Sequence, residues 1–439
     1  MTGLRLATND TFRSLHHRNF RLFFSGQLVS QIGHWLSLIA QTLLVLELTD
    51  SGLALGLLAA AQFGPVLLFG AFAGLVADRS DKRKLLIVVQ TFAMAQAFVL
   101  GALAFMDSPP LWGIYIVAAF GGLATAFDNP ARRSFVVEMV PEEDVTNAVS
   151  LNSAMMTGAR IVGPALGGLL VATVGFGWAF WLDGLTFIAV ILGLRRIDPA
   201  RLRPAPVQVR GKGQIRDGLR YARSIPELRV PLVMTAIVGT FAFNFQTVVP
   251  LFADRDLGGT DLTFSLLMSV VGLGSLAGAL AAARRKDVNV HLVSHSAVAF
   301  GVAMLLLALS PNQPIAFLVG IVMGVTSITF MTTATAIVQL RADPSMRGRV
   351  LALQAIVFIG STPIGGPIVG AISETFGARY ALAVGALAAV IAGAYGLGSL
   401  RRAARSTLTE RVTTDAIAAA TDSAPGPVLV RDAVPQPVA

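Results

Sequence analysis

The 439-residue chain contains no cysteine, which excludes disulfides, thiolate metal sites and a cysteine nucleophile. Charge is scarce. Asp, Glu, Lys and Arg make up 13% of the residues while hydrophobic residues make up 54%, and that charged share is about half the soluble norm, which excludes a soluble enzyme. A P-loop of the form Gly-x-x-x-x-Gly-Lys-Ser/Thr is absent, so ATP does not drive the protein directly unless a separate subunit supplies it. No HExxH, no His/Asp/Glu cluster and no GxSxG occur, so no metal, no cofactor and no enzyme activity are expected. Lysine is rare too, 4 of 34 cations, an arginine bias expected of a GC-rich bacterial genome. The amino terminus MTGLRLATNDTFRSLHHRNF lacks the pattern of a cleavable signal, so the first apolar span is expected to serve for insertion.

What the chain does have is a rhythm. About twelve apolar stretches recur at 22–46, 52–76, 85–106, 111–130, 150–174, 178–194, 230–252, 262–283, 288–309, 314–338, 350–373 and 380–399. Each is long enough for a bilayer core about 30 Å thick, which needs roughly 20 residues of helix. Of the 34 cations, 31 lie in alternate gaps, starting with the amino-terminal tail. Only Arg255 and Arg379 occupy the other gaps, and Arg160 lies inside a span. Cationic loops stay cytoplasmic, so both termini are expected inside, in a bacterial inner membrane. The net charge of +9 is scattered through these loops rather than gathered in a patch, and predicts no nucleic-acid partner.

The spans divide into halves. A cytoplasmic tail (1–21) precedes a first six-helix bundle (22–194), and an Arg- and Pro-rich cytoplasmic linker (195–229) leads to a second bundle (230–399). Within the linker, 213–224 reads as a short amphipathic helix on the membrane surface. Residues 400–439 are rich in Ala, Thr, Val and Pro and are expected to be a disordered cytoplasmic tail. The halves repeat weakly. Gly70 and Gly74 match Gly274 and Gly278 at an offset of 204, and Gly163, Pro164 and Gly167 match Gly366, Pro367 and Gly370 at 203. Small residues four apart let helices approach closely, so these pairs predict tight, sliding contact where the bundles meet. A repeat of this kind is the plan of a rocking transporter with its site between the halves.

The sharpest motif is GLVADRSDKRKLL (74–86), in the turn between spans two and three. It resembles the signature loop of the major facilitator superfamily, roughly Gly-x-Leu-Ala-Asp-Arg-x-Gly-Arg-Lys/Arg. Gly74, Ala77, Asp78, Arg79 and Arg83 fit, while Asp81 replaces the second Gly and Lys82 stands where Arg is common. RNFRLFFSGQLVSQIGHWL (18–36) and the stretch 129–168 resemble the branch that includes enterobactin and macrolide exporters. The resemblance implies an all-α membrane fold of twelve transmembrane helices in two six-helix bundles, rocking about a cavity lined by spans one, four, seven and ten. It also implies that the Gly-Pro step at 163–164 limits proton leak. Asp78 suits a gating latch, since its carboxylate can accept from a guanidinium or sit at a helix amino terminus; the alternative is a merely charged turn.

Ionisable residues inside spans are costly and suggest function. Gln27, Gln31 and His34 form a polar stripe on span one, as on a helix lining a cavity. His34 can gain a proton near neutral pH, or can simply bond a neighbouring helix. Asp128, Arg160 and Asp183 are further proton-coupling candidates, with a structural ion pair the alternative for Arg160 and Asp183. The Arg that drug exporters of the superfamily carry in span four, shortly before a Gly, is absent from YIVAAFGGLATAFDNP (115–130). Asn244 and Gln246 are the cavity candidates in the second half. The expected function is export of a small amphipathic molecule (drug, macrolide or siderophore) by proton antiport with alternating access. An importer or facilitator on the same fold, or a non-transporting membrane protein, are the alternatives. The expected partners are the small-molecule substrate, protons and the lipid bilayer, with the chain acting as a monomer.

Overall fold

The computed structural model describes residues 11–203, 214–285 and 287–399. The expected tail beyond 399, the first ten residues and 204–213 of the linker lie outside the described residues. All secondary structure among the described residues is helical, as a chain of this composition requires, because a helix satisfies its own backbone polar groups in lipid.

The first half consists of α1 (Arg18–Thr49), α2 (Gly52–Arg79), α3 (Lys82–Ala104), α4 (Leu111–Glu138), α5 (Val145–Val174) and α6 (Phe176–Arg196). The linker carries α7 (Gln214–Ser224). The second half consists of α8 (Pro226–Phe241), α9 (Phe245–Leu251), α10 (Asp261–Ala283), α11 (Val290–Ala308), α12 (Gln313–Arg341), α13 (Pro344–Phe376) and α14 (Ala378–Ser399). With α8, α9 and the π-turn Phe252–Asp256 counted as one, twelve helices among the described residues are long and apolar enough to span a membrane.

Several helices outrun their apolar stretches. α1 begins at Arg18 rather than 22, α12 ends at Arg341 rather than 338, and α13 begins at Pro344 rather than 350. Once nucleated, a helix gains one hydrogen bond per added residue, so it continues into the polar zone. The seventh span departs from expectation in another way. It is interrupted at Ala242–Asn244 rather than continuous over 230–252, and Asn244 takes the cap position of α9 with φ −96° and ψ 45°.

Turns at the cation-poor end are minimal. Only Asp50 and Ser51 separate α1 from α2; Asp50 is left-handed at φ 45°, and the Ser51 hydroxyl caps α2 by accepting from the Ala54 amide at 3.2 Å. Gly175 (φ 82°) joins α5 to α6 and Gly377 (φ 101°) joins α13 to α14. With ψ of 171° and 158°, both occupy a region that glycine alone enters easily. At the opposite end Arg13–His16 forms a 3-10 turn, where His17 meets Asp144 at 2.6 Å and Arg13 pairs with the same carboxylate.

Two seams join the halves, α2 along α13 and α5 along α10. On the first, Gly366 and Gly370 meet Gly56 and Gly52 backbone to backbone: a methyl on Gly52 would lie 2.5 Å from the Gly370 carbonyl oxygen, and one on Gly56 2.7 Å from Pro367 Cα. On the second, Gly272 packs on Arg160 and Ile161, and Gly168 on Ser265. Gly163 and Gly167 are not at this seam. A methyl on Gly163 would strike Trp35, and one on Gly167 would lie 3.2 Å from Leu36 Cα, so the Gly163–Pro164–Gly167 face packs α5 on α1 of its own half. Gly278 likewise serves its own half, where a methyl would lie 2.9 Å from Val325 Cα of α12, and a methyl on Gly70 would meet nothing within 4 Å among the described residues.

The apolar core is continuous at one end only. Leu43, Leu55, Val117 and Phe180 share a cluster with Val249, Phe252 and Leu267, which joins the halves at the cation-poor end. At the cation-rich end each half keeps its own cluster, with Phe20, Leu86 and Phe135 in one and Leu228, Val338 and Val350 in the other.

Candidate functional site

Every buried charged residue among the described ones lies in the first half, and three of them, Asp128, Arg132 and Asp183, line one cavity of about 220 Å³. α1 contributes Gln31, His34 and Ser37, α3 contributes Gln90, α4 contributes Asp128 and Arg132, and α6 contributes Asp183. Asp128 is held from two sides. Arg132, one turn along α4, forms an ion pair with Oδ2, and Gln90 Nε2 donates to Oδ1 at 2.7 Å. Arg132 also donates to Asn129 Oδ1 at 3.2 Å. A buried carboxylate survives only with such partners, since desolvation of a lone charge costs several kcal/mol.

Asp183 sits 4% exposed on α6, with no cation in ion-pair range among the described residues. Its company is hydroxylic, Ser37 of α1 and Thr186 of its own helix, the latter 3.5 Å from Oδ1. Gly33 makes the approach of α1 feasible, because a methyl there would lie 2.6 Å from the Asp183 carboxylate. His34 lines the same cavity, within electrostatic reach of Asp128 and Arg132. The stripe on α1 therefore faces the interior of its own half; Gln27 extends it by accepting from Gln31 at 3.4 Å. Buried amide and guanidinium atoms here, Gln27 Nε2, Gln41 Nε2, Gln90 Oε1 and Arg132 Nη1, have no hydrogen-bond partner among the described residues, the mark of a polar cavity able to hold water.

The other expected residues fall elsewhere. Arg160 has no carboxylate in ion-pair range among the described residues; its guanidinium carbon lies 5.6 Å from the centroid of the Trp35 ring, a cation–π contact beside the α5–α10 seam. Asn244 is buried and donates to the Thr240 carbonyl at 2.7 Å, so its side chain serves the break between α8 and α9. Gln246 is partly buried on α9. Neither lines the cavity.

In the loop motif, Gly74 is buried, Asp78 half-buried and Arg79 exposed at the cation-rich end of α2. Arg83 donates to the carbonyls of Leu194 at 2.7 Å and Arg195 at 2.9 Å, where a cation satisfies the last carbonyls of α6. Lys82 makes a nearly buried ion pair with Glu138 of α4 at 2.7 Å. Arg132, Gln90 and Glu138 were missed as site residues. The Asp128–Arg132 spacing of four residues is the available signal for the first, since it puts both side chains on one helix face.

At the cation-poor end the halves are clasped by polar contacts. Arg255 of the second half pairs with Asp50 at 2.8 Å. Glu374, at the end of α13, accepts from the Ser51 hydroxyl at 2.5 Å and the Leu53 amide at 2.9 Å. Arg379 ties the second half together, bonding Asp256 at 3.0 Å and the carbonyls of Ala308 and Ser310.

Twelve membrane helices in two six-helix halves, seamed by glycine and closed at one end, define a secondary transporter of the major facilitator type. A sequence family described as transmembrane secretion effector matches residues 9–432, and the chain belongs to that family. It is 24% identical over 367 residues to the staphyloferrin A transporter of Staphylococcus aureus, covering 81% of this chain and 90% of the relative. To macrolide efflux protein A of Streptococcus pyogenes it is 24% identical over 354 residues, covering 79% and 87%. In fold it is similar to a bacterial homologue of the human lysosomal transporter Spinster in an inward-facing, occupied conformation, with a TM-score of 0.70, 15% identity, and 88% and 97% of the two chains covered.

Proposed function

We propose that this transporter is a proton-driven exporter of a small amphipathic molecule, seated in a bacterial inner membrane with both termini cytoplasmic. The observation that carries the reading is the gathering of Asp128, Arg132, His34 and Asp183 around one cavity inside the first half. At about 220 Å³ the cavity is below the roughly 300–1,000 Å³ of small-molecule sites, a size for water and protons rather than for the cargo. A proton arriving on Asp128 neutralises the partner of Arg132 and frees the guanidinium to rebond, which changes the packing of α4 against α3 and α1. Asp183 and His34 are the further stations of the relay.

The orientation follows from the cation bias, so the clasped end is external and the chain is closed outward. The separate clusters at the cytoplasmic end leave the approach between the halves to the cargo, and Asn244 and Gln246 of the broken span are its contact candidates in the second half. Asp78, with Gly74, Arg79 and Arg83, forms the inner latch of the opposite, outward-open state. Siderophore, macrolide or other drug cargoes are supported by the names of the two relatives. Cavity and both seams lie within one chain, in keeping with a monomer, and no step needs a nucleic acid.

Compound accumulation in an efflux-deficient bacterium tests this, with a panel of dyes, macrolides and catecholate siderophores. Export lowers accumulation of one class, and both a protonophore and Asp128→Asn abolish the effect while the protein stays in the membrane. Asp78→Asn gives the same loss if the latch reading holds. Unchanged export in Asp128→Asn would remove the coupling site, and raised accumulation would reverse the direction of transport.

A further inference from the structure

The transport cycle leaves one basic element unused. α7 ends at Ser224 and only Ile225 separates it from Pro226, where the seventh span begins. It is thus leashed to the cation-rich rim of the bundle. One side of α7 is committed to protein. Ala222 is buried with Leu228 and Val350, Tyr221 donates its hydroxyl to Asp343 Oδ2 at 2.9 Å and accepts from the Asp343 amide at 3.0 Å, and Asp217 faces Arg349 at 3.7 Å. The opposite side is free: Arg216, Leu219, Arg220 and Arg223 are all exposed. Their spacing of three, four and seven residues aligns them in one stripe.

The stripe holds three cations, one apolar side chain and no carboxylate, because Asp217 is turned to Arg349. Glu227 is also exposed, at the start of α8. The positive-inside rule alone asks for cations somewhere in the linker; it does not ask for them on one face of a helix whose other face is bonded down. We propose that this face of α7 docks anionic phospholipid headgroups, with the guanidinium groups on the phosphates and Leu219 in the upper acyl region. The bound lipid then presses on α13, since Asp343 is its cap residue and Arg349 lies in its second turn, and α13 is the seam helix that carries Glu374 at its far end.

The absence of cysteine makes the test direct. The full-length Leu219→Cys variant, carrying a bimane label, is reconstituted in phosphatidylcholine nanodiscs containing equal fractions of brominated phosphatidylglycerol or brominated phosphatidylcholine. The expected result is quenching at least about twofold stronger by the anionic lipid, lost when Arg216, Arg220 and Arg223 are all changed to Gln and retained when all three become Lys. Equal quenching by the two lipids, or an excess that survives the Gln substitutions, overturns the proposal. The Lys variant guards against a folding defect: losing the excess with all three charges kept would also overturn it.

Discussion

In the first half the helices enclose Asp128, Arg132 and Asp183 with Gln27, Gln31, Gln41 and Gln90. In the second, the corresponding interior is a phenylalanine cluster, where Phe243 lies 5.2 Å from both Phe300 and Phe358 and 5.6 Å from Phe245. Its buried polar residues are only Ser, Thr, Asn and Gln among the described residues. Yet the backbones follow one plan, down to the matching single-glycine turns at Gly175 and Gly377. The difference teaches that a duplicated frame can divide its labour by filling. A polar interior is expensive in lipid and is retained where charge must move; an aromatic one offers apolar area without asking anything of the proton.

The sharpest way to break this comparison is Arg132→Ala, which leaves Asp128 buried without its cation. A loss of about 3–5 kcal/mol is expected, read as a lower unfolding midpoint in detergent. Adding Asp128→Asn to that variant should restore part of it. A wild-type midpoint for the single variant would mean that the polar interior is already wet and holds no closed charge unit.

Next come the repeated glycines, whose equivalence in sequence hides different duties. Gly167→Val should crowd α1 and Gly370→Val should crowd α2 across the seam, each by roughly 1–3 kcal/mol. The first is expected to lower the unfolding midpoint, while the second pries the halves apart at the cation-poor end and raises accessibility of labels there. Identical behaviour of the two would erase the distinction between a packing glycine and a seam glycine. Smallest is Arg255→Gln. The pair with Asp50 is exposed (36% and 72%), so it contributes only about 0.2–1 kcal/mol. Distances between spin labels on the two halves at that end should show a shift of up to about fivefold toward the open population.

Much of the frame was legible from the chain. The twelve apolar stretches follow from bilayer thickness, and the one-sided cations from the retention of Lys and Arg on one side of a membrane. The interior was legible only in part. His34, Gln31, Asp128 and Asp183 stood out because polarity inside a span is costly, but Arg132 and Lys82 did not, because they lie where the apolar stretch gives way to the loop. Which neighbour a face meets was the least readable property. A membrane helix is apolar nearly all round, so nothing in the spacing of Gly163 and Gly167 tells α1 from α10. The break at Ala242–Asn244 carries neither Gly nor Pro, and Asn244 bonding back to Thr240 emerges only with the fold around it.

The Glu374 contact also supplies a built-in reporter. A helix leaves its first amides without partners, and the Leu53 amide of α2 finds its acceptor on the other half of the molecule. Its hydrogen is shielded only while the two halves touch. Deuterium uptake at this one backbone position should therefore keep time with the contact of the halves at the cation-poor end, slow while it is closed and fast whenever it opens, in the native chain without any label.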